Sequence, residues 1–289
     1  MKFIFCADLH LRPDKPRCRI DDNWIETQFK QVEFIFQTCK DKNVFLIIGG
    51  DIFNRPQISD YIKTRFIEII CKYDIDVYIY AGNHDLPYHN WENVNNSSFG
   101  IIWSIKDNIK NIKSLDKIGK YMHYGEELIG EETGLYFLHK LIFQSRSKMP
   151  PNTNAFTAKE ILDKYPKAKW IFSGDNHRGF HYEDNGRHLI MAGCINRQHA
   201  DTKDYDPCIW YVDTDTANVE KIMINDNMDF VDDEYLKNAD ERDSRIAALL
   251  DIIKNSSKVS LDFRENVKIK IMELKTSEDV VNAIEDLMQ

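Results

Sequence analysis

Short apolar runs separated by amphipathic stretches most constrain what this chain of 289 residues can fold into. KFIFCA (2–7), VFLII (44–48) and DVYIYA (76–81) are rich in aromatic and β-branched residues, which favour buried strands. Between them, residues 24–39 and 59–72 place apolar side chains at helical spacing. Strands and helices that alternate over such short connections predict right-handed βαβ units, a largely parallel sheet and therefore an α/β fold.

The second half of the chain alternates less regularly, and its composition and apolar spacing change near residue 230. Further apolar runs predict strands at 135–143, 169–174, 187–193 and 208–212. Beyond residue 230 come short, highly charged segments whose apolar spacing is mostly helical. We predict one large domain over 1–230 and an acidic, mostly helical C-terminal region over 231–289.

The net charge of −9 is unevenly distributed along the chain. Residues 201–289 carry many more acidic than basic side chains, whereas the first 200 residues are close to neutral. This balance argues against indiscriminate binding of nucleic acid. It leaves room for a local basic cleft, or for cations held among carboxylates.

The sequence carries no sign of membrane insertion or secretion. No apolar run approaches the ~20 residues that cross a bilayer, and the N-terminal apolar stretch is too short for a secretory signal. The six cysteines contain no CxxC pair, which is typical of reduced thiols in a protein core. We therefore expect a cytoplasmic protein with no membrane association.

Polar side chains that can bind metal ions stand at or near the ends of five of these runs. They are Asp8 and His10, then Asp51, then Asn83, His84 and Asp85, then His139, and finally Asp175 and His177. Each signal alone is weak, because a D-x-H triplet is common and a lone histidine in a strand is usually a core residue. Together they predict one metal site, because the carboxyl ends of parallel strands meet at one edge of a sheet.

In this order the motifs resemble those of the calcineurin-like metallophosphoesterases, whose motif string reads D-x-H, G-D, G-N-H-[DE], H and G-H-x-H. The resemblance covers roughly residues 1–200. It implies a four-layer α/β/β/α sandwich with the small, mostly helical C-terminal region as an appendage. It also implies a phosphoester hydrolase with two divalent metal ions.

The resemblance assigns roles to residues by their positions in the motifs. One ion would be held by Asp8, His10, Asp51 and His177. The other ion would share Asp51 and add Asn83, His139 and Asp175. His84 and Asp85 would be the catalytic residues. His84 would face the scissile phosphate, and Asp85 would orient the loop or His84.

The last motif departs from the family pattern. Gly174-Asp175-Asn176-His177 stands where the family has G-H-x-H, so a carboxylate replaces an imidazole. A carboxylate favours harder, oxygen-preferring ions, so we expect Mn²⁺, with Zn²⁺, Fe or Mg²⁺ as alternatives. Asp175 could instead be a turn residue, with His177 alone as the ligand in this motif.

The residues around the motifs resemble one branch of the superfamily, the nuclease subunit of SbcCD-type double-strand-break repair complexes, including phage-encoded versions. The matching stretches are GDIFNRP (50–56), AGNHDLP (81–87) and MAGCINR (191–197). Ala192-Gly193-Cys194 stands where that branch has Pro-Gly-Ser, and Asn54 leaves the partner of His84 open. The branch implies a DNA exo- or endonuclease of repair, recombination or phage DNA metabolism. It would activate water with two metal ions, in the host cytoplasm if the protein is phage-encoded.

Basic side chains in the predicted strand-end loops suit the phosphates of DNA, because a guanidinium group binds two phosphate oxygens at once. Candidate contacts are His89 and the arginines Arg12, Arg17, Arg19, Arg55, Arg178 and Arg197. Tyr88 and Trp91, beside His89, could stack on unpaired bases. Ordinary solvated loops with structural aromatic residues would give the same pattern.

Candidate partners are DNA, a coiled-coil ATPase subunit and a second copy of the chain in a homodimer. In repair nucleases, the region equivalent to 231–289 docks the ATPase. Apolar stripes over 246–253 and 280–287 fit either a partner's groove or packing against the large domain.

Two other functions are compatible with the sequence. The chain could be a phosphodiesterase or phosphatase that acts on a small nucleotide or another phosphoester. It could also be a non-catalytic subunit that keeps the fold, although the complete ligand set and His84 count against this function.

Overall fold

The computed structural model describes residues 1–105, 112–125, 134–226, 230–232 and 263–288. The chain divides into two compact units, Met1–Asp232 and Asp233–Gln289. The apolar stripe predicted over 246–253 lies outside the described residues. Among the described helices, none combines the length and the apolar character that a membrane crossing requires.

A six-stranded sheet is built around the N-terminal strand. β1 (Lys2–Cys6), β2 (Phe45–Gly49), β3 (Val77–Tyr80) and β4 (Ile112–Lys113) pair in parallel in this order. On the other side of β1, β12 (Cys208–Asp213) and β13 (Asn218–Met223) complete the sheet with antiparallel pairing. The first three strands are the apolar runs that open the sequence, so the predicted parallel arrangement is confirmed.

A second sheet has five strands. Its members are β5 (Lys120–Tyr121), β6 (Gly134–His139), β9 (Ala168–Gly174), β10 (Phe180–Asp184) and β11 (Arg187–Met191). All pairs are parallel except β10 with β11. The single strand predicted over 135–143 is wrong, because β6 ends at His139. Ile142–Phe143 forms a separate strand, β7, which pairs with β8 (Phe156–Thr157).

Helices cover the outer face of each sheet. α1 (Trp24–Lys42), α2 (Asp60–Tyr73) and α3 (Ser98–Ser104) bury their apolar side chains against the six-stranded sheet. α4 (Ala158–Lys164) buries Ile161 and Leu162 against the five-stranded sheet. Burial of these faces removes apolar surface from water at roughly 25 cal/mol per Å², which makes it the main stabilising contribution.

The two sheets share an aromatic core between them. Because successive side chains of a strand point to opposite faces, Phe3 and Phe5 enter this core while Ile4 and Cys6 face the helices. The ring of Phe172 meets both phenylalanines edge to face, with centroids 5.3 Å from Phe3 and 5.2 Å from Phe5. The layers are helices, sheet, sheet and helix, which confirms the predicted four-layer α/β/β/α sandwich.

The C-terminal unit contributes two described helices, α5 (Phe263–Leu274) and α6 (Glu278–Met288). Val267 and Ile284 are buried, whereas Met272 and Leu287 are exposed by 79% and 74%. The stripe predicted over 280–287 therefore lies on α6, with Ile284 as its buried member. The mostly helical character predicted for this region is confirmed for the residues described.

A buried histidine, His123, ties the loop after β5 to the end of β3. Its Nδ1 accepts a hydrogen bond from the backbone N–H of Ala81 at 3.0 Å, and its ring stacks on Trp91 with centroids 3.4 Å apart. Burial lowers the pKa of His123 to about 3. The neutral ring is therefore the form that fits this fold, because Nδ1 must keep its lone pair for Ala81.

We predict that His123 makes the fold sensitive to acid. Its folded pKa lies below the ordinary histidine value of about 6.5, so the unfolded chain binds the extra proton and stability falls as the pH drops from about 6.5 towards 3. His123→Gln keeps a planar group with an acceptor but does not titrate. Urea unfolding at pH 6.5 and pH 4.5 should show a loss of stability roughly 2–3 kcal/mol larger for the parent protein than for this variant. Equal losses in the two proteins would contradict the assignment.

Candidate metal centre

The loops after β1, β2, β3, β6 and β9 bring the predicted metal ligands together at one edge of the sandwich. The ligand atoms of Asp8, His10 and His177 lie within 4.8 Å of one another, and so do those of Asp8, Asp51 and His139. These two groups share Asp8, and a third group of His10, Asp51 and His84 connects them. Residues up to 169 positions apart in sequence, Asp8 and His177, thus meet in one cluster.

Four of these residues have a left-handed backbone conformation, which residues other than glycine rarely adopt. The φ angles are 53° at Asp8, 45° at His10, 52° at Asp51 and 85° at Asp175. Such residues cost of order 1–3 kcal/mol each and cluster at functional sites, where the surrounding structure holds them. The sharp turn after each strand therefore aims a side chain at the sheet edge at the expense of stability.

Asp51 stands between the two groups of ligands. Its Oδ1 accepts the backbone N–H of His84 at 2.8 Å, which fixes the carboxylate. Its Oδ2 lies 3.6 Å from Nε2 of His10 and 3.3 Å from Nε2 of His139. One oxygen is thus held by the backbone, while the other faces both sets of nitrogen donors, as a carboxylate shared by two ions would.

Asp8, His10 and His177 form one half of the centre. Nε2 of His10 lies 3.1 Å from Nε2 of His177 and 4.0 Å from Oδ1 of Asp8. Asp8 and His10 are buried, with 1% and 4% of their surface exposed. Two imidazole nitrogens that converge beside a buried carboxylate make a donor set that suits a divalent cation.

His139 and Asn83 form the other half with Asp51. Nδ1 of His139 donates to the carbonyl oxygen of Gly49 at 2.8 Å, so its Nε2 keeps a lone pair for a metal ion. That Nε2 lies 3.2 Å from Oδ1 of Asn83. The backbone carbonyl therefore selects the tautomer that a metal ligand needs.

The electrostatics of the cluster also suit a cation. Burial raises the pKa of the Asp8 carboxyl well above its usual range, and Asp51 and Asp175 add to the rise. The pKa of His139 is raised to about 10, against the effect of burial, because Asp51 and Asp8 attract a proton to it. Buried carboxylates this close together need positive charge between them, which a proton or a metal ion can supply.

Asp175 lies at the margin of the cluster. Its backbone N–H donates to both oxygens of Asp8, at 3.1 and 3.2 Å. Burial raises the pKa of its carboxyl, and Asp51 raises it further, so the side chain faces the same charges as the other ligands. Asp175 is half-buried and lies outside the two tight groups around Asp8. The contact through its N–H orients Asp8 whether or not the Asp175 carboxylate binds an ion.

The two predicted catalytic residues occupy different environments. His84 is partly exposed, and its Nδ1 donates to the carbonyl oxygen of Asn54 at 2.8 Å. The partner of His84 is thus a backbone group, which the type of side chain at position 54 could not reveal. Asp85 is fully buried and accepts the N–H groups of Ile52, Phe53 and Gly82 at 3.3, 3.0 and 3.0 Å. It joins the loops of Asp51 and Asn83, so it can position residues but cannot touch a substrate.

Four of the predicted phosphate-binding arginines lie on loops next to ligands. Arg17, Arg55 and Arg178 are exposed, and Arg12 is half-buried. Arg12 and Arg55 both approach the carboxylate of Asp14, and Arg178 pairs with Asp204 at 2.6 Å. These pairs hold the guanidinium groups near the surface.

Arg19 and Arg197 lie instead in the interior, which corrects the expectation that they bind phosphate. Each is 2% exposed. Nη1 of Arg19 lies 3.0 Å from both oxygens of Asp226, and Nε lies 2.8 Å from Asp21. Arg197 donates its backbone N–H and a guanidinium N–H to Asp226. The two arginines therefore fasten the loop after β1 to the segment after β13, because a buried guanidinium needs a paired carboxylate.

The aromatic loop after Asn83 is only partly available for stacking. Tyr88 is 90% exposed, with φ of 56°, and His89 follows with φ of 54°. His89 is exposed, and its Nδ1 donates to the carbonyl oxygen of Asn83 at 2.9 Å, which places it beside a predicted ligand. Trp91 packs against His123 and the hydrophobic core, so it is not free to stack on a base.

Two residues near the centre were missed by sequence reasoning. Gln198 is buried and donates from Nε2 to the carbonyl oxygens of Leu9 and His10, at 3.3 and 3.1 Å, which supports the strained His10. Tyr124 lies with its ring centroid 6.2 Å from that of His139. No motif marks either residue, because both act through contacts that depend on the folded chain.

Gly82 provides a test of the shared carboxylate. A Cβ at this position would lie 2.2 Å from Oδ1 of Asp51, so Gly82→Ala must displace that side chain. We expect the affinity for Mn²⁺, measured by calorimetric titration, to fall at least about tenfold, as for other changes around metal ligands.

Gly186→Ala is the matched control. It has a positive φ of 72°, and a Cβ there would meet nothing within 4 Å. The strain should cost about 1 kcal/mol of stability and leave Mn²⁺ affinity unchanged. Equal Mn²⁺ affinities for the two variants would show that Asp51 does not hold an ion.

Three solved structures match this chain at low sequence identity. A structure described as a novel archaeal phosphodiesterase is 15% identical, with a TM-score of 0.44, over 78% of this chain and 100% of that chain. A protein from Thermus thermophilus is 8% identical, with a TM-score of 0.47, over 76% of this chain and 97% of its own. A dimetal phosphatase from Danio rerio is 12% identical, with a TM-score of 0.42, over 73% of this chain and 92% of its own. No curated protein matches the sequence.

A family model gives the assignment. The model of the calcineurin-like phosphoesterases matches residues 1–179, a range that contains every predicted metal ligand. The fold of this family uses a dimetal centre, and the donor groups around Asp8 and Asp51 fit one. The chain therefore belongs to the calcineurin-like phosphoesterase family, whose members are hydrolases that act on phosphoesters.

Proposed function

We propose that this phosphoesterase is a DNA exo- or endonuclease of repair, recombination or phage DNA metabolism, with two Mn²⁺ ions as its cofactor. Asp8, Asp51, Asp175 and the Asn83 amide offer oxygen donors, against three imidazoles. The oxygen donors favour a harder ion than Zn²⁺, and the imidazoles favour a transition metal over Mg²⁺. This mixed set supports Mn²⁺, with Zn²⁺, Fe or Mg²⁺ as alternatives.

The ions and the protein would have different roles in hydrolysis. When bound, two divalent ions would neutralise part of the phosphodiester charge and lower the pKa of a water molecule in the site. The protein holds the donors in place: the N–H of His84 fixes Asp51, and the N–H of Asp175 fixes Asp8. Asp85 holds the loops of Asp51 and Asn83 together. Such preorganisation spares the site from rearranging during the reaction.

His84 would protonate the leaving oxygen. Its Nδ1–H stays on the Asn54 carbonyl, so a protonated ring can donate from Nε2. The ring stands at right angles to that of His10, with centroids 4.8 Å apart, at the mouth of the centre. A departing alkoxide that takes this proton leaves as an alcohol.

Arginines on the ligand-bearing loops carry the proposal that the substrate is DNA. Arg12, Arg55 and Arg178 follow the ligands His10, Asp51 and His177 by two, four and one positions in the sequence. Guanidinium groups on three of these loops would let a polyanion use several of them at once. A small phosphoester has no need of so many.

Two partners are proposed from the resemblance to repair nucleases. A coiled-coil ATPase would dock on the C-terminal region, and a second copy of the chain would form a homodimer. The exposure of Phe263, Met272 and Leu287 supports a docking role, because large apolar side chains on a surface favour association. Co-purification of the full chain with such an ATPase tests this proposal.

The substrate is tested with two kinds of phosphodiester. End-labelled linear duplex and single-stranded DNA, and bis-p-nitrophenyl phosphate, are each incubated with the protein and Mn²⁺. Digestion of DNA supports the proposal. Hydrolysis of the small diester alone, with the DNA intact, favours the alternative of an enzyme for small nucleotides or other phosphoesters.

His84→Ala is predicted to keep the metals and lose most of the turnover. Loss of a general acid typically costs 10²–10⁴-fold in rate. Steady-state digestion of DNA and metal content by mass spectrometry measure the two properties together. His181→Ala, which changes a histidine of β10 outside the centre, should leave both unchanged. Full activity of His84→Ala contradicts the proposed role, and loss of an ion would make His84 a ligand instead.

A further inference from the structure

A cleft of about 310 Å³ opens beside the metal centre, and the ligands His139 and Asp175 form part of its wall. The rest of the wall includes Tyr124, Lys140, Asn154 and Phe156. We propose that this cleft is a nucleoside subsite, in which the base next to the scissile phosphate stacks on Tyr124. The inference rests on the proposed phosphodiesterase function and adds a recognition site to it.

Tyr124 is half-buried, and its ring packs partly against the hydrophobic core and partly lines the cleft beside the metal ligands. Its ring centroid lies 6.2 Å from that of His139 and 5.9 Å from that of His89. Its backbone N–H donates to the carbonyl oxygen of Ala81 at 3.1 Å, which anchors it to the end of β3. A base on Tyr124 and a phosphate at His139 would therefore belong to the same nucleotide.

Phe156 supplies a second aromatic surface in the same cleft. It is 39% exposed, although it belongs to the strand β8. Its N–H donates to the carbonyl oxygen of Leu141 at 3.2 Å, which fixes its backbone, and Nζ of Lys164 lies 5.9 Å from the centroid of its ring. An exposed phenylalanine on a paired strand gives a base a second apolar contact in the cleft.

The polar residues of the cleft suit the remaining parts of a nucleotide. Asn154 is exposed, and its amide carries both donors and acceptors, which match the edge of a base. Lys140 directly follows the ligand His139 and lines the same cleft, where a positive charge suits a phosphate chain.

The size of the cleft restricts what can enter. Pockets that bind small ligands measure roughly 300–1,000 Å³, so a cleft of about 310 Å³ holds one nucleoside. A base that stacks on Tyr124 inside the cleft is separated from its pairing partner. The subsite therefore suits an unpaired nucleotide, which gives single-stranded ends, frayed ends or free nucleotides as the substrate class.

Chromogenic diesters that differ only in the nucleoside test the subsite. The thymidine 5′- and 3′-p-nitrophenyl phosphates are compared with methyl p-nitrophenyl phosphate. In each reaction water adds to phosphorus and p-nitrophenolate leaves, so the ratio of kcat/KM values reports recognition of the nucleoside. With Mn²⁺ we expect the better thymidine ester to exceed the methyl ester at least about fivefold, as base stacking predicts. Tyr124→Ala and Phe156→Ala should lose most of this ratio.

Phe34→Ala, a change of an exposed aromatic residue on α1, is the matched control and should keep the ratio. A ratio near one for the parent protein, or a ratio that neither cleft variant lowers, overturns the subsite. If only Tyr88→Ala lowers the ratio, the base binds at the loop after Asn83 instead. That result also overturns the subsite. If the parent protein hydrolyses none of the esters and no DNA, the proposed function itself fails.

Discussion

The buried carboxylates of Asp8 and Asp51 are the constraint on which the rest of the structure depends. They are 1% exposed each and belong to one tight group of ligand atoms, so their charges repel at close range. The fold accepts this cost because the site places imidazoles around them. Buried carboxylates this close together would be unstable without a counter-charge, and they become favourable when divalent cations bind.

A second set of contacts keeps this arrangement from relaxing. Asp85 gathers three backbone N–H groups from the loops after β2 and β3. Gln198 supports the carbonyl of His10, and the buried pairs of Arg19 and Arg197 with Asp226 fasten the surrounding segments. None of these residues faces the ligand cluster directly. Their common effect is to hold left-handed turns that the chain would otherwise leave.

The sequence was informative where a local pattern determines the structure. Apolar runs gave the central strands, and polar residues after them located the metal centre, because strand ends converge in an α/β fold. Arg19 and Arg197 show the limit of this reasoning, since a basic residue beside a motif looks the same whether it faces solvent or a buried Asp226. Trp91 is similar, because its packing against His123 joins residues from different parts of the chain. The hydrogen bond of His84 to the Asn54 carbonyl could not be predicted either, because a backbone carbonyl is present whatever the side chain at position 54.

Crystals soaked with Mn²⁺ and measured at the manganese absorption edge test the central claim most directly. A shared carboxylate predicts two anomalous peaks per chain, one beside His10 and His177 and one beside His139 and Asn83. Asp51 should contact both. A single peak, or two peaks that do not share Asp51, would contradict it.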